Sequence, residues 1–237
     1  MKTIGLISPN LDEAGIAAYL EILPPGLRIE GRALKVNRYH DDYFRAAEQA
    51  LAGLVGELAQ EPLDFLMVTG ELFLSYKGPG SDRAVLRAIG AITPTPASTV
   101  LTAVVNACQD IGLRRVVMAS PFPEDHSARL ARFLAHDGVA VVGSQSLGYD
   151  NNRDIWALPP ETGFDLAVSL ARAHPDADGV YMPCNKWRIT SIIDRVEQEL
   201  GKPVVTNTQA WIWEALRAMG LPATIPGLGR LLSLGGV

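Results

Sequence analysis

This chain has little sulfur and no clustered positive charge. Its two cysteines, Cys108 and Cys184, lie far apart among 237 residues. They are not a disulfide framework, and no C-x-x-C pair suggests zinc. Four histidines (His40, His126, His136 and His174) are scattered without metal-ligand spacing, so no metal site is expected. A formal net charge of −5 and the lack of any basic run argue against nucleic-acid binding. No apolar stretch is long enough to span a bilayer, and Met1-Lys-Thr runs straight into an apolar strand too short for a signal peptide. The expectation is a cytoplasmic protein, monomer or homo-oligomer, with a small-molecule partner.

What is present is ordinary for a globular chain: 48% hydrophobic and 20% charged residues. A chain of this size buries roughly 70% of its unfolded surface. Apolar runs at Thr3–Ser8, Leu63–Val68, Arg115–Ala119, Val139–Val142, Gly179–Met182 and Pro203–Thr206 predict buried strands. Helical spacing predicts helices over Tyr43–Ala59, Asp82–Ile92, a stretch capped by Ser98 or Thr99 and stopped at Gly112, Asp125–His136, Pro160–Ala173, Ile189–Leu200 and Gln209–Met219. Thr69–Gly80 reads as a polar loop. Strands alternating with helices imply an α/β fold with parallel sheets covered on both faces.

Two stretches stand out: Asp64-Phe-Leu-Met-Val-Thr-Gly70 and Asp178-Gly-Val-Tyr-Met-Pro-Cys184. Each is an acid, an apolar run, then a small residue entering a loop at a strand's carboxyl end. Ligands bind there in open α/β sheets. They belong to an internal repeat. Gly70 and Cys184 are offset by 114, Pro9 and Pro121 by 112, and Gly112 and Gly220 by 108. The expected architecture is two pseudo-symmetric lobes, each a parallel sheet flanked by helices. Residues 1–95 with 208–237 would form lobe 1, and residues 96–207 lobe 2. Repeat-equivalent loops then converge on a pocket between the lobes.

Several motifs resemble the aspartate/glutamate racemase superfamily, in particular its arylmalonate decarboxylase and maleate isomerase branch. They are Thr3-Ile-Gly-Leu-Ile, Gly70-x-x-x-x-Ser-Tyr-Lys-Gly78, Gly-Leu-Arg-Arg-Val116, Ser-Leu-Gly148, the strand ending at Cys184, Gly-x-Pro-Val-Val205 and Gly-x-Gly-Arg-Leu231. The resemblance implies two lobes acting on a small carboxylate without cofactor. Racemases and maleate isomerases of this group use one cysteine from each lobe. The decarboxylases keep only the second, with glycine in the first lobe, and Gly70 with Cys184 is that pattern. The resemblance also implies a carboxylate-binding hole built from hydroxyl groups. Here Glu71 and Leu72 occupy two of its positions, Phe122 replaces a tyrosine, and Asn185 replaces the glycine after the cysteine. An ionised Glu71 would repel a bound carboxylate by a few kcal/mol at an effective dielectric constant of about 20.

Cys184 and Glu71 are therefore the candidate catalytic pair. Backbone N–H groups and a helix start after Cys184 would lower its thiol pKa from about 8.5, and burial would raise that of Glu71. Substrate-binding candidates are Pro9, Asn10, Tyr43, Gly70, Leu72, Phe122, Asn152, Asn185 and Asn207, with Asn151 beside Asn152 as a turn former. Cys108 reads as packing, Ser75–Gly78 as a lid or loop contact, and Lys186 and Arg188 as solvated cations at a helix start, with attraction of an anion as the alternative. His126 has no partner identifiable from sequence. The leading expectation is a cofactor-independent, arylmalonate-decarboxylase-like enzyme in which Cys184 protonates a carbanion or enediolate. The alternatives are a racemase or epimerase pairing Glu71 with Cys184, a maleate-type isomerase, a Cys184-dependent amide hydrolase, and a non-catalytic small-acid binding protein.

Overall fold

The computed structural model describes residues 1–233. In chain order its elements are β1 (Lys2–Ser8), α1 (Glu13–Ile22), β2 (Leu27–Ala33), α2 (Asp41–Leu58), β3 (Phe65–Val68), α3 (Glu71–Ser75), α4 (Ser81–Gly90), β4 (Ala97–Thr99) and α5 (Val100–Asp110). The second half follows with β5 (Arg115–Ser120), α6 (Glu124–His136), β6 (Ala140–Ser146), α7 (Asn152–Ala157), α8 (Pro160–Ala173), β7 (Gly179–Met182), α9 (Ile193–Leu200), β8 (Val204–Thr206) and α10 (Asn207–Ala218).

Two four-stranded sheets result, ordered β2-β1-β3-β4 and β6-β5-β7-β8. Every strand pair is parallel. The orders are the same under the repeat, so the two lobes have the same topology. The inner strands are apolar along their whole length because helices cover both faces; Phe65–Val68 and Gly179–Met182 are buried at every position.

The acids that open the two repeated stretches act as clasps at the far ends of these strands. The Thr3 backbone N–H donates to Asp64 Oδ2 at 2.8 Å. The N–H groups of Arg114 and Arg115 donate to Asp178 Oδ2 at 3.0 and 2.8 Å. Each carboxylate joins its own strand to the neighbouring central strand and sits far from the loop where the repeated stretch ends.

Helices α5 and α10 pack on one another, and each also touches both sheets, so they form the seam between lobes. Thr99 caps α5 through the Thr102 N–H (3.1 Å), and Thr206 with Gln209 forms a capping box on α10. The sequence-drawn boundary at residue 96 is corrected here: β4 pairs with β3 and belongs to the first sheet. Of the segment 208–237 assigned to lobe 1, residues 234–237 lie outside the described residues.

Three further differences have physical causes. β2 carries charged residues and lies at a sheet edge, so its Leu27–Ala33 run lacks an apolar signature. The segment read as a polar loop contains α3, whose five residues are all buried. The helix expected from Ile189 begins at Ile193, after a 3₁₀ turn over Thr190–Ile192.

Candidate active site

Strands β3 and β7 lie at matching places in the two sheets, and the chain leaves each through a left-handed residue. Gly70 has φ 106° and Cys184 has φ 86°. A cysteine in that region carries strain of about 1–2 kcal/mol, which glycine avoids. At Gly70 the constraint is tighter still, because an added Cβ would come within 2.5 Å of Pro9 Cγ.

Between the two loops is a small cavity of about 40 Å³. Of the candidates, Pro9, Asn10, Gly70, Glu71, Leu72, Phe122, Asn152, Cys184 and Asn185 line it, and so do Ser8, Val36, Tyr39, Phe44, Phe73 and Lys186. Asn10, Asn152 and Lys186 also border a wider vestibule outside, with Trp156 on its wall. The inner cavity is mainly apolar.

Glu71 opens α3 and is buried. Desolvation dominates its titration, pushing the carboxyl from 4.5 up to about 7 against the pull of its own N–H, the Cys184 N–H and the Asn207 side chain. Asn207 is fully buried, and its Oδ1 accepts the Tyr181 hydroxyl at 2.8 Å. Its Nδ2 draws the Glu71 pKa down without full hydrogen-bond geometry to any described residue.

Cys184 departs from the sequence expectation. Its thiol pKa is pushed well above the ordinary value, first by burial and then by Glu71, and the N–H groups of Lys186 and Trp187 only partly offset this. No helix dipole assists, since α9 starts nine positions later, at Ile193. Cys184 is therefore a neutral thiol at physiological pH, suited to giving a proton rather than attacking a carbon. Cys108 is buried in α5, its thiol pushed up to about 12 by desolvation alone.

Tyr39 was missed from sequence. Its hydroxyl donates to Asn152 Oδ1, across a separation of 113 residues, and the residue lines the same cavity as Cys184. Its ring meets Phe122 edge-on at 5.3 Å. Its N–H donates to the Asp150 carbonyl at 3.3 Å, and its carbonyl lies 3.1 Å from His126 Nε2. His126 thus has a partner, the loop that carries Tyr39. The signal was available: the separation of 113 lies between the repeat offsets of 112 and 114, so Tyr39 stands near the lobe-1 position equivalent to Asn152, which sequence reading did select.

Other candidates sit elsewhere. Tyr43 is 39% exposed and outside the cavity; Phe44, the next residue along α2, faces inward instead. Asn207 lies behind Glu71 and does not line the cavity. Asn151 caps α7 by accepting the Asp154 N–H at 3.0 Å. Tyr76 and Lys77 bond Glu48 on α2, fixing that loop against the lobe surface. Arg188 stacks on Trp156 and donates to its carbonyl at 3.1 Å, outside the cavity. Among the described residues no three His, Cys, Asp or Glu side chains gather as a metal site, and no helix is long and apolar enough to cross a membrane.

A family profile described as arylmalonate decarboxylase matches residues 4–232. The chain belongs to the arylmalonate decarboxylase family. It is 31% identical over 231 residues to the arylmalonate decarboxylase of Bordetella bronchiseptica, covering 97% of this chain and 95% of that protein. It is 26% identical to a maleate isomerase of Nocardia farcinica, covering 98% and 96%. A crystal structure of a doubly substituted arylmalonate decarboxylase in liganded form superposes with a TM-score of 0.88 at 30% identity, over 98% of each chain. The Nocardia farcinica maleate cis-trans isomerase carrying a covalently bound succinylcysteine intermediate shares the fold, with a TM-score of 0.89 at 19% identity over 99% of each chain. The chain is accordingly an enzyme of the racemase-like α/β superfamily, as the motifs implied.

Proposed function

We propose that this enzyme decarboxylates a small malonate-type acid without a cofactor, with the Cys184 thiol protonating the carbanion that remains. The observation carrying this reading is the single thiol in the cavity, buried and held neutral, facing a glycine in the equivalent loop. One substrate carboxylate lies among the donors near the mouth. Asn152, whose Oδ1 is occupied by Tyr39, has its N–H₂ left for a ligand, and Asn185 and Lys186 line the same side. The other carboxylate faces the apolar wall of Val36, Phe44, Leu72 and Phe73. There the anion is poorly solvated and departure as neutral CO₂ relieves it. The electron pair of the breaking C–C bond enters the remaining carboxylate, giving an enediolate. Cys184 then breaks its S–H bond as the new C–H bond forms.

The carboxyl of Glu71 fits this scheme as a neutral acid. Its raised pKa keeps much of it protonated near pH 7, and a bound anion favours that form further. It then acts as a hydroxyl donor toward the enediolate, where an ionised Glu71 would repel it. Fixed donors of this kind contribute on the order of 10²–10³-fold each. The test is a panel of aryl- and alkylmalonates, read for CO₂ release with native protein and Cys184→Ala. Release by native protein alone supports the reading; no release by native protein across the panel contradicts it.

A second reading draws on the same carboxyl. A buried Glu71 titrating near neutrality, in the loop equivalent to that of Cys184, has the properties of a second acid–base group, as a racemase or epimerase requires. Deuterium exchange at the α-carbon of a monoacid, lost in Glu71→Gln and without CO₂ release, would favour it.

A further inference from the structure

We propose that Phe73 is a specificity-determining residue: its ring is the partition between the reaction cavity and an apolar groove on lobe 1, and it restricts the enzyme to malonates with a compact substituent. The inference rests on the decarboxylase reading. The cavity of about 40 Å³ has room for roughly three water molecules, so a longer substituent has to extend into a neighbouring space. Beyond the apolar wall that space is a groove of about 340 Å³ between α2 and α4, lined by Leu51, Val55, Leu74, Val85 and Ile89 among others. Among the described residues, Phe73 alone borders both spaces.

Three consecutive positions of α3 divide the two spaces. Leu72 borders only the cavity, Leu74 only the groove, and Phe73 between them faces both. Phe73 is buried. Its ring stacks on Tyr76, with centroids 6.4 Å apart and planes at 22°. Tyr76 in turn leans on Phe44, centroids 5.6 Å apart. The Tyr76 hydroxyl donates to Glu48 Oε2 at 2.6 Å, and Lys77 pairs with the same carboxylate. The partition is thus tied from behind to α2, and the volume beyond it stays out of reach of the substrate. The vestibule is no equivalent outlet for an alkyl chain. It joins the cavity at Asn10, Asn152 and Lys186, polar groups that such a chain would have to desolvate.

Methylmalonate and hexylmalonate test this, because they differ in chain length and hardly at all in their electronic effect on the enediolate. Native kcat/KM for hexylmalonate should lie about tenfold or more below that for methylmalonate, on the scale at which pockets discriminate methylene groups. Phe73→Ala joins cavity and groove, and should raise the hexyl-to-methyl ratio by about tenfold or more. Phe73→Leu keeps a large apolar side chain in the core and should move the ratio the same way by less; it decides the matter if the alanine variant does not fold. A native enzyme that takes both malonates equally, or a ratio unchanged in the variants, would overturn the proposal. Failure of the decarboxylase reading looks different: native enzyme releases no CO₂ from any malonate. The partition is then still decided without substrate, by alkylating Cys184 with N-ethylmaleimide and with the bulkier N-benzylmaleimide and following intact mass against Cys184→Ser. Opening the partition should speed labelling by the benzyl reagent several-fold more than labelling by the ethyl one; an equal change, or none, overturns the partition and the proposal with it.

Discussion

The two loops that close the cavity began as copies and now do different work. Both follow the third strand of their sheet, both turn through a left-handed residue, and both strands are clasped by an acid at their far end. In lobe 1 the left-handed residue is Gly70, and a short helix starts at once, placing the Glu71 carboxyl at its first position. In lobe 2 the corresponding residue is Cys184, followed by irregular chain as far as Thr190. One loop therefore supplies a carboxyl and the other a thiol. Burial raises both pKa values, so each group holds its proton near neutral pH. Duplication preserved the backbone path, and the side chains divided the chemistry.

Making the loops alike is the harshest test of this contrast. Cys184→Gly removes the thiol and relieves the left-handed strain together. It should lower kcat by about 10³-fold or more while the melting temperature stays level or rises. Residual activity above a few per cent of native would break the comparison. The reverse change, Gly70→Ala, meets both an unfavourable φ and the Pro9 ring. A cost on the order of 2–3 kcal/mol is expected, or about 5–10 °C in melting temperature for a chain of this size. Adding Pro9→Ala should recover part of that loss, and purely additive effects would show that the clash is not the cause.

Glu71→Gln sharpens the comparison through pH. The Glu71 pKa is about 7 folded against 4.5 as the ordinary value. Stability is therefore undiminished below about 4.5, falls as pH rises toward 7, and is lower by about 3 kcal/mol above that. Glutamine carries no charge, so the variant should melt higher than native at pH 8 and show little difference at pH 4.5. If Glu71 acts as a neutral donor, native kcat/KM falls as pH rises through about 7, and the amide variant keeps measurable activity with a flatter profile. If Glu71 is instead a base, the same substitution abolishes turnover at every pH. The smallest effect belongs to Tyr43→Ala: the residue lies outside the cavity, so kcat/KM should stay within twofold of native.

The fold was legible wherever burial on both faces wrote continuous apolar runs, as at Phe65–Val68 and Gly179–Met182, and the repeat offset tied those runs into two lobes. It was illegible where burial was one-sided or the element short. Edge strand β2 alternates charge with apolar residues, and α3 is five residues whose burial comes from packing on α4, α5 and α6 rather than from any period of its own. Missing β2 hid the site residue beside it. Tyr39 stands in a polar stretch between β2 and α2, with no pattern to show which way its ring turns, and only the offset to Asn152 points to it. The thiol's ionisation was misread for a related reason. The sequence gives no measure of how deeply a loop is buried, and burial outweighs the backbone N–H groups here.

The most direct test is the product of an unsymmetrical malonate turned over in D₂O. A thiol delivering its proton from one wall of the cavity predicts CO₂ and a monoacid carrying one deuterium on a single face, with Cys184→Ser yielding neither. A racemic product from native enzyme, or label of the same handedness from the serine variant, would contradict Cys184 as the proton donor.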